Sequence, residues 1–205
     1  MARDKSPIVK QSRREGYALA PKAHKVMAKK TGIPGEHSNM HVRGGSLYLS
    51  QLREKQKVRR LYGLLEKQFA KLMKEALESD GLTGEKLLEF LERRVDNAVF
   101  RAGFALTRRQ SRQLVSHGHF LLNGRRINIP SIRLKPGDIL TVRPKSIQST
   151  YFKNLPNIIS SANVIPLSWL QVDTKNFKIT ISGLPKREEA DPGINEQLIV
   201  EYYSR

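Results

Sequence analysis

The pattern of apolar and polar positions changes twice along the chain. From Ala2 to about Gly45 the sequence is polar and basic and is broken by Pro7, Gly16, Pro21, Gly32, Pro34, Gly35, Gly44 and Gly45. With no sustained period, this stretch predicts an extended arm with little structure of its own, ordered only against a partner. Beyond Ser46, a candidate N-cap, the residues Leu49, Leu52, Val58, Leu61, Leu65, Phe69, Leu72, Ala76 and Leu77 recur at spacings of three and four. That is the stripe of a long amphipathic helix in two pieces, closed by Ser79-Asp80-Gly81. A second helical face follows in Leu87, Leu88, Leu91, Val95, Ala98, Val99 and Ala102, and Gly103 ends it.

The next signals are sharper. Thr107-Arg108-Arg109-Gln110 has capping-box spacing, so a short third helix should start at Arg108 and run through Leu114 and Val115 to Gly118. Phe120-Leu121-Leu122 and Arg125-Arg126-Ile127 flank Asn123-Gly124, which predicts a hairpin because a type I′ turn needs positive φ at both central residues. Pro136-Gly137-Asp138 turns into a strand at Ile139–Val142. Further on, Phe177, Ile179 and Ile181 alternate as a strand, Trp169-Leu170 reads as a core anchor, and Leu198-Ile199-Val200 fits either a buried strand or a helical turn. The fold class is therefore α+β, with a helix-turn-helix preceding an antiparallel hairpin. The expected domains are a basic arm over 1–45, a helical domain over 46–92 completed by 188–205, and an α/β domain over 93–187 with its core at 93–153.

Charge adds a partner class. The chain of 205 residues carries 37 Lys and Arg against 19 Asp and Glu, a net +18. The excess is confined to residues 1–60 and 93–153, each +11, while 61–92 and 154–205 carry −3 and −1. Two self-repelling basic blocks between near-neutral ones point to a polyanion, and nucleic acid is the default. An anionic membrane would ask for a basic amphipathic helix with an exposed apolar face, which is not evident; neither a signal peptide nor a membrane span is expected. With no cysteine, disulfides, thiolate metal sites and thiol nucleophiles are excluded, and a cytosolic setting fits best.

Motifs for phosphate-cradling, serine-nucleophile, zincin or dinucleotide chemistry are absent. His37 and His41 have the i, i+4 spacing of a metal pair, but nearby glycines and Pro34 argue against the helix it needs, and no metal or cofactor is expected. Asp96, which follows Arg93-Arg94, is either a catalytic base or, as is commoner for such a residue, an ion-pair partner orienting a guanidinium. Arg108 and Arg109 oppose the dipole of the third helix at a cost of about a few tenths of a kcal/mol unless an anion docks there. With Arg112 one turn on, they read as a cradle for consecutive phosphates. Arg125 and Arg126 point to opposite sides of the hairpin, so at most one shares that surface. Few aromatics are interleaved with the bases, which favours folded RNA read by backbone and shape.

Arg94-Val95-Asp96-Asn97, Arg112-Gln113-Leu114-Val115-Ser116-His117-Gly118-His119 and Leu122-Asn123-Gly124-Arg125 closely resemble the S-four RNA-binding domain. The flanks Ser12-Arg13-Arg14-Glu15-Gly16, Gln51 to Arg60 with Tyr62-Gly63, and Ile194 to Glu201 are similar to the bacterial small-subunit ribosomal protein family S four. The resemblance spans essentially the whole chain. It implies a non-enzymatic, monomeric constituent of the cytoplasmic small ribosomal subunit that binds the 5′ domain of its ribosomal RNA early in assembly. It also implies contact with ribosomal protein S five, affecting decoding accuracy, and a border on the messenger-RNA (mRNA) entrance channel. By motif, Arg13, Arg14, Lys55, Lys57, Arg59 and Arg60 would serve RNA from the helical domain, and Arg94, Arg108, Arg109, Arg112, His117, Asn123, Arg125 and Arg126 from the S-four domain. Gln51, Arg53, Glu54, Asn195 and Glu196 would form the protein interface. The family's entrance-channel cluster of bases is reduced here to Arg43, and the cysteines of some members are missing.

The S-four domain is also appended to RNA-modifying enzymes and stress proteins. In pseudouridine synthases, however, the catalytic aspartate lies in a separate large domain after the module, whereas Asp96 lies inside it. A stress-related module would need neither the Gln51 helix nor the C-terminal extension.

Overall fold

The computed structural model describes residues 4–30, 32–35, 45–161 and 167–204. In chain order these form α1 (Ile8–Glu15), α2 (Pro21–Met27), α3 (Leu47–Leu61), α4 (Glu66–Glu78), α5 (Thr83–Glu92), α6 (Val95–Arg101) and α7 (Arg108–Ser116). Then come β1 (Phe120–Leu122), β2 (Arg125–Ile127), β3 (Ile139–Val142), α8 (Pro144–Ile147), α9 (Thr150–Lys153), α10 (Leu155–Ser161), β4 (Leu170–Asp173), β5 (Lys178–Ile181) and α11 (Glu196–Tyr203). The fold is α+β. It divides into two compact units, Met1–Leu87 with Asp191–Arg205, and Leu88–Ala190.

The first unit is helical. Ser46 caps α3, its Oγ accepting from Leu49 N at 3.3 Å, and Gly63 at φ +65° breaks the long stripe between α3 and α4. Val58, Leu61, Leu64, Phe69, Leu72, Met73, Ala76 and Ile199 are buried in it. The C-terminal segment is a helix rather than a strand, started by Asn195, whose side chain accepts from the backbone of Gln197 and Leu198. The expectation of an arm with little structure is corrected by α1 and α2. The buried residues of α1 are Gln11 and Ser12, so its inward side is polar and shows no apolar period. Ser12 Oγ instead donates to Ile8 O at 2.8 Å and accepts from Leu19 N at 3.2 Å. Pro21 opens α2 at its first position, where a missing N–H costs nothing.

The second unit packs helices against a sheet. The strands β1 to β5 are all antiparallel, in the order β2-β1-β3-β5-β4. The hairpin register pairs Leu122 with Arg125, and Asn123 and Gly124 have φ of 49° and 81°, as a type I′ turn requires. The core joins Val95, Val99, Phe104, Val115, Phe120, Leu140, Phe152, Trp169, Ile179 and Ile181.

The expected single helical face from Leu87 to Ala102 is interrupted at Arg93-Arg94. Arg94 is extended and bridges Arg133, and the segment leading to it inserts its carbonyls where α6 begins: Val95 N donates to Ile132 O at 2.9 Å and Asp96 N to Pro130 O at 3.3 Å. A long-range segment thus satisfies N–H groups that a continuous helix would bond internally. The capping box at α7 is also displaced. Thr107 Oγ1 accepts from Gln110 N at 3.2 Å as expected, but Gln110 Oε1 reaches back to Leu106 N, at 3.0 Å, instead of Thr107 N.

Candidate nucleic-acid interface

Between α6 and α7 the arginines are met by acids and amides. Asp96 accepts Arg94 Nε at 3.0 Å and Nη2 at 2.8 Å, and Arg112 Nη1 at 3.1 Å. Arg94 is buried, only 4% exposed, so its charge orients the turn rather than facing solvent. Glu92 receives Arg101 at 2.7 Å and Asn97 Nδ2 at 2.7 Å; Asn97 Oδ1 in turn accepts Arg108 Nε at 2.9 Å, and the Arg108 guanidinium lies over the Phe100 ring at 4.6 Å. Of the expected phosphate cradle, Arg108 and Arg112 are therefore engaged within the unit, and Arg109 is exposed. Asp96 is placed as an orienting ion-pair partner. Asn123 is likewise engaged: its side chain donates to Asp138 at 2.8 Å and accepts from Ile139 N at 2.9 Å, locking the hairpin tip to β3.

The other end of α7 is different. Gly118 follows the helix at φ +72°, and the Arg126 Nε lies 2.6 Å from where a Cβ on it would sit; only glycine admits the guanidinium there. This makes Arg126 the hairpin arginine on the α7 side. One step beyond the Phe120–Val142 pair of the β1–β3 ladder, Arg143 N donates to His119 O at 2.8 Å. The His117 and His119 rings lie 6.1 Å apart, His119 packs on Phe152 at 5.7 Å, and its Nδ1 meets Ser146 Oγ at 3.0 Å. Burial, then the charges of His117, Arg143 and Arg126, hold the His119 imidazole below its ordinary range. Among the described residues, the side chains of Arg125, Arg126, Arg143 and Lys145 have no hydrogen-bond or ion-pair partner. Arg125, Arg126, His117 and Lys145 are exposed. Uncompensated positive charge thus lies at this edge of the unit, with Arg125 on the opposite side of the hairpin from Arg126, and is suited to an anionic backbone. The sequence singles out neither Arg143 nor Lys145 and gives His119 no role beyond its place in the His117-Gly118-His119 motif; the β1–β3 pairing is what brings the Arg143 segment beside the hairpin.

In the helical unit most expected residues are internal. Lys55 is 4% exposed, donates to Glu66 at 2.8 Å and lies over the Tyr202 ring at 4.7 Å. Burial raises the Glu66 carboxyl, but hydrogen bonds from Lys55 and Tyr203 together hold it below its ordinary range. Lys57 binds Gly193 O at 2.5 Å and Glu54 at 2.7 Å. Arg59 donates to Gln56 at 2.9 Å, and Arg13 to Gly32 O at 3.0 Å. Arg60 pairs with Glu15, whose carboxyl is raised by burial despite Arg60 and Arg53 nearby. Arg14 is exposed.

The residues expected at a protein interface largely join α3 to α11. Gln51 donates to Glu201 at 2.9 Å, and Glu54 accepts from Asn195 N at 2.8 Å. Glu196 packs where a Cβ on Gly84 would stand, and Arg53 faces Glu15 at 3.5 Å. Arg43, His37 and His41 lie outside the described residues. Among the described residues, no group of three His, Asp or Glu side chains is placed to hold a metal, and no helix is long and apolar enough to cross a membrane.

Comparison with known proteins matches residues 3–92 to the family described as "Ribosomal protein S4/S9 N-terminal domain" and residues 93–140 to the "S4 domain". The chain is 48% identical to the small ribosomal subunit protein uS4 of Chloroflexus aurantiacus, 47% to that of Chlorobium phaeovibrioides and 47% to that of a Roseiflexus species, in each case over the full length of both proteins. The chain therefore belongs to the uS4 family of small ribosomal subunit proteins.

Proposed function

We propose that the protein is a structural constituent of the small ribosomal subunit that binds ribosomal RNA through phosphate neutralisation, without catalysing a reaction. The observation that carries this reading is the set of exposed, unpartnered cations at Arg125, Arg126 and Lys145, with the half-buried and equally unpartnered Arg143. Paired arginines elsewhere in the same unit shape the surface, while these remain available to an anion. His117, at the same end of α7, is exposed beside the set, and Arg14 offers exposed charge from the helical unit. The relatives' full-length similarity supports assigning that anion to ribosomal RNA.

More specifically, the protein is a primary binder of the 5′ domain of small-subunit ribosomal RNA, acting early in assembly. Ribosomal protein S five is its protein neighbour, through the outer surface around Arg53, Asn195 and Glu196, and mRNA passes near Arg43. The buried, doubly engaged Asp96 favours this reading over an RNA-modifying enzyme, since a general base needs access to substrate.

The test is a salt-titrated binding assay on the isolated 5′ domain with bulk transfer RNA as competitor. Binding that survives excess competitor at physiological salt supports a primary ribosomal RNA binder; complete loss to competitor reduces the charge to a non-specific footprint.

A further inference from the structure

We propose that His119, flanked by Arg126 and Arg143, is a proton-accepting phosphate site, so that RNA binds to this unit together with a proton. The inference rests on the RNA-binding reading above and adds a titratable element to it.

The geometry is that of a half-buried imidazole under a cationic rim. Nδ1 is taken by Ser146 Oγ at 3.0 Å, which fixes the ring and leaves Nε2 as its free nitrogen. One side of the ring packs on Phe152 at 5.7 Å. The groups that face it are cationic or uncharged: His117 from the end of α7, Arg126 from β2, Arg143 from the end of β3, Ser146 from α8 and Phe152 from α9. No carboxylate is among the groups that shift it. In the free protein these charges and burial keep the ring neutral near pH 7.

A phosphodiester held between Arg126 and Arg143 reverses that balance, because it neutralises the two cations that oppose protonation and supplies an acceptor for an imidazolium N–H. The added proton then strengthens binding in turn. By linkage, affinity for RNA rises as pH falls, by up to about tenfold per pH unit between the free and bound midpoints, and levels off below the free one.

The experiment uses the full chain and a transcript of the 5′ domain of small-subunit ribosomal RNA. Calorimetric titrations at several pH values, each in buffers of different ionisation enthalpy, give the protons taken up per complex. His119→Gln is expected to reduce that uptake by between about half a proton and nearly one, at a pH between the free and bound His119 midpoints, and to flatten the pH dependence, while His24→Gln, at an exposed histidine of α2, leaves the uptake unchanged. Independently of any variant, the Cε1 resonance of His119 in the native protein should titrate roughly one to three pH units higher with RNA than without. An unmoved His119 midpoint, or a His119→Gln variant with undiminished proton uptake, overturns the proposal while leaving the RNA-binding reading intact. Absence of specific binding at every pH overturns both.

Discussion

The Asp96 carboxylate accepts the Arg112 guanidinium at 3.1 Å, tying the first turn of α6 to the middle of α7. Their side chains are 7% and 12% exposed, and the same carboxylate holds Arg94 at 2.8 Å. One acid thus supports two arginines in a nearly dry site. Asp96→Asn removes the buried charge that the two guanidinium groups share and is expected to cost about 3 kcal/mol of stability, measured by urea denaturation. A loss below about 0.5 kcal/mol, the usual scale of surface changes, would mean the pair is solvated and incidental.

Asn123 serves the fold through its conformation and both of its amide groups. It sits at φ 49° and makes two hydrogen bonds that fasten the hairpin tip to β3. Asn123→Ala is expected to lose about 1 to 2 kcal/mol. The slope of log affinity for RNA against log salt should stay at its native value, and a flattened slope would assign the residue to the RNA instead.

Thr107→Ala removes the side-chain cap of α7, with an expected loss of about 1 kcal/mol. Native-state hydrogen exchange should show the loss first at the amides of Ser111 and its neighbours. Protection unchanged there would mean Gln110, bonded to Leu106 N, secures the helix start alone.

The Lys55–Glu66–Tyr203 cluster sets an acid limit on the helical unit. Glu66 titrates below its unfolded value, so the unfolded chain takes up the proton more readily. Its stabilising contribution is complete above about pH 4.5, the ordinary glutamate value, and is lost as pH falls through the lowered folded value. Glu66→Gln should flatten the stability profile in that window. An unchanged profile would place the acid sensitivity elsewhere.

The most legible parts of this chain were those whose cause is local. Asn123-Gly124 carries its turn chemistry in two residues, Ser46 and Thr107 carry their caps within three, and the stripe from Leu49 to Leu77 carries its period. Hydropathy missed α1 because its buried residues, Gln11 and Ser12, are polar; Pro21 was the available start signal for α2. It missed the α5–α6 break because the groups that end the continuous helix come from Pro130 and Ile132, more than thirty positions away. The site behaved in the same way. The two basic blocks were plain in the sequence, but which arginines are engaged depends on Glu92, Asp96 and Asn97, and Arg143 joins the hairpin only through the β1–β3 ladder.

In the proposed complex the unpartnered cations beside the hairpin meet the RNA, and the arginines bound within the α6–α7 turn do not. The salt dependence of binding to the 5′ domain for single alanine variants, with urea stability measured on each, separates the two groups. Arg125→Ala, Arg126→Ala and Arg143→Ala are each expected to lower the slope by about 0.9 and to leave the urea midpoint near its native value. Arg94→Ala and Arg112→Ala are expected to lower the midpoint and keep the native slope. The opposite pattern, with Arg112→Ala flattening the slope at unchanged stability and Arg126→Ala leaving it intact, would place the RNA on the α6–α7 turn instead.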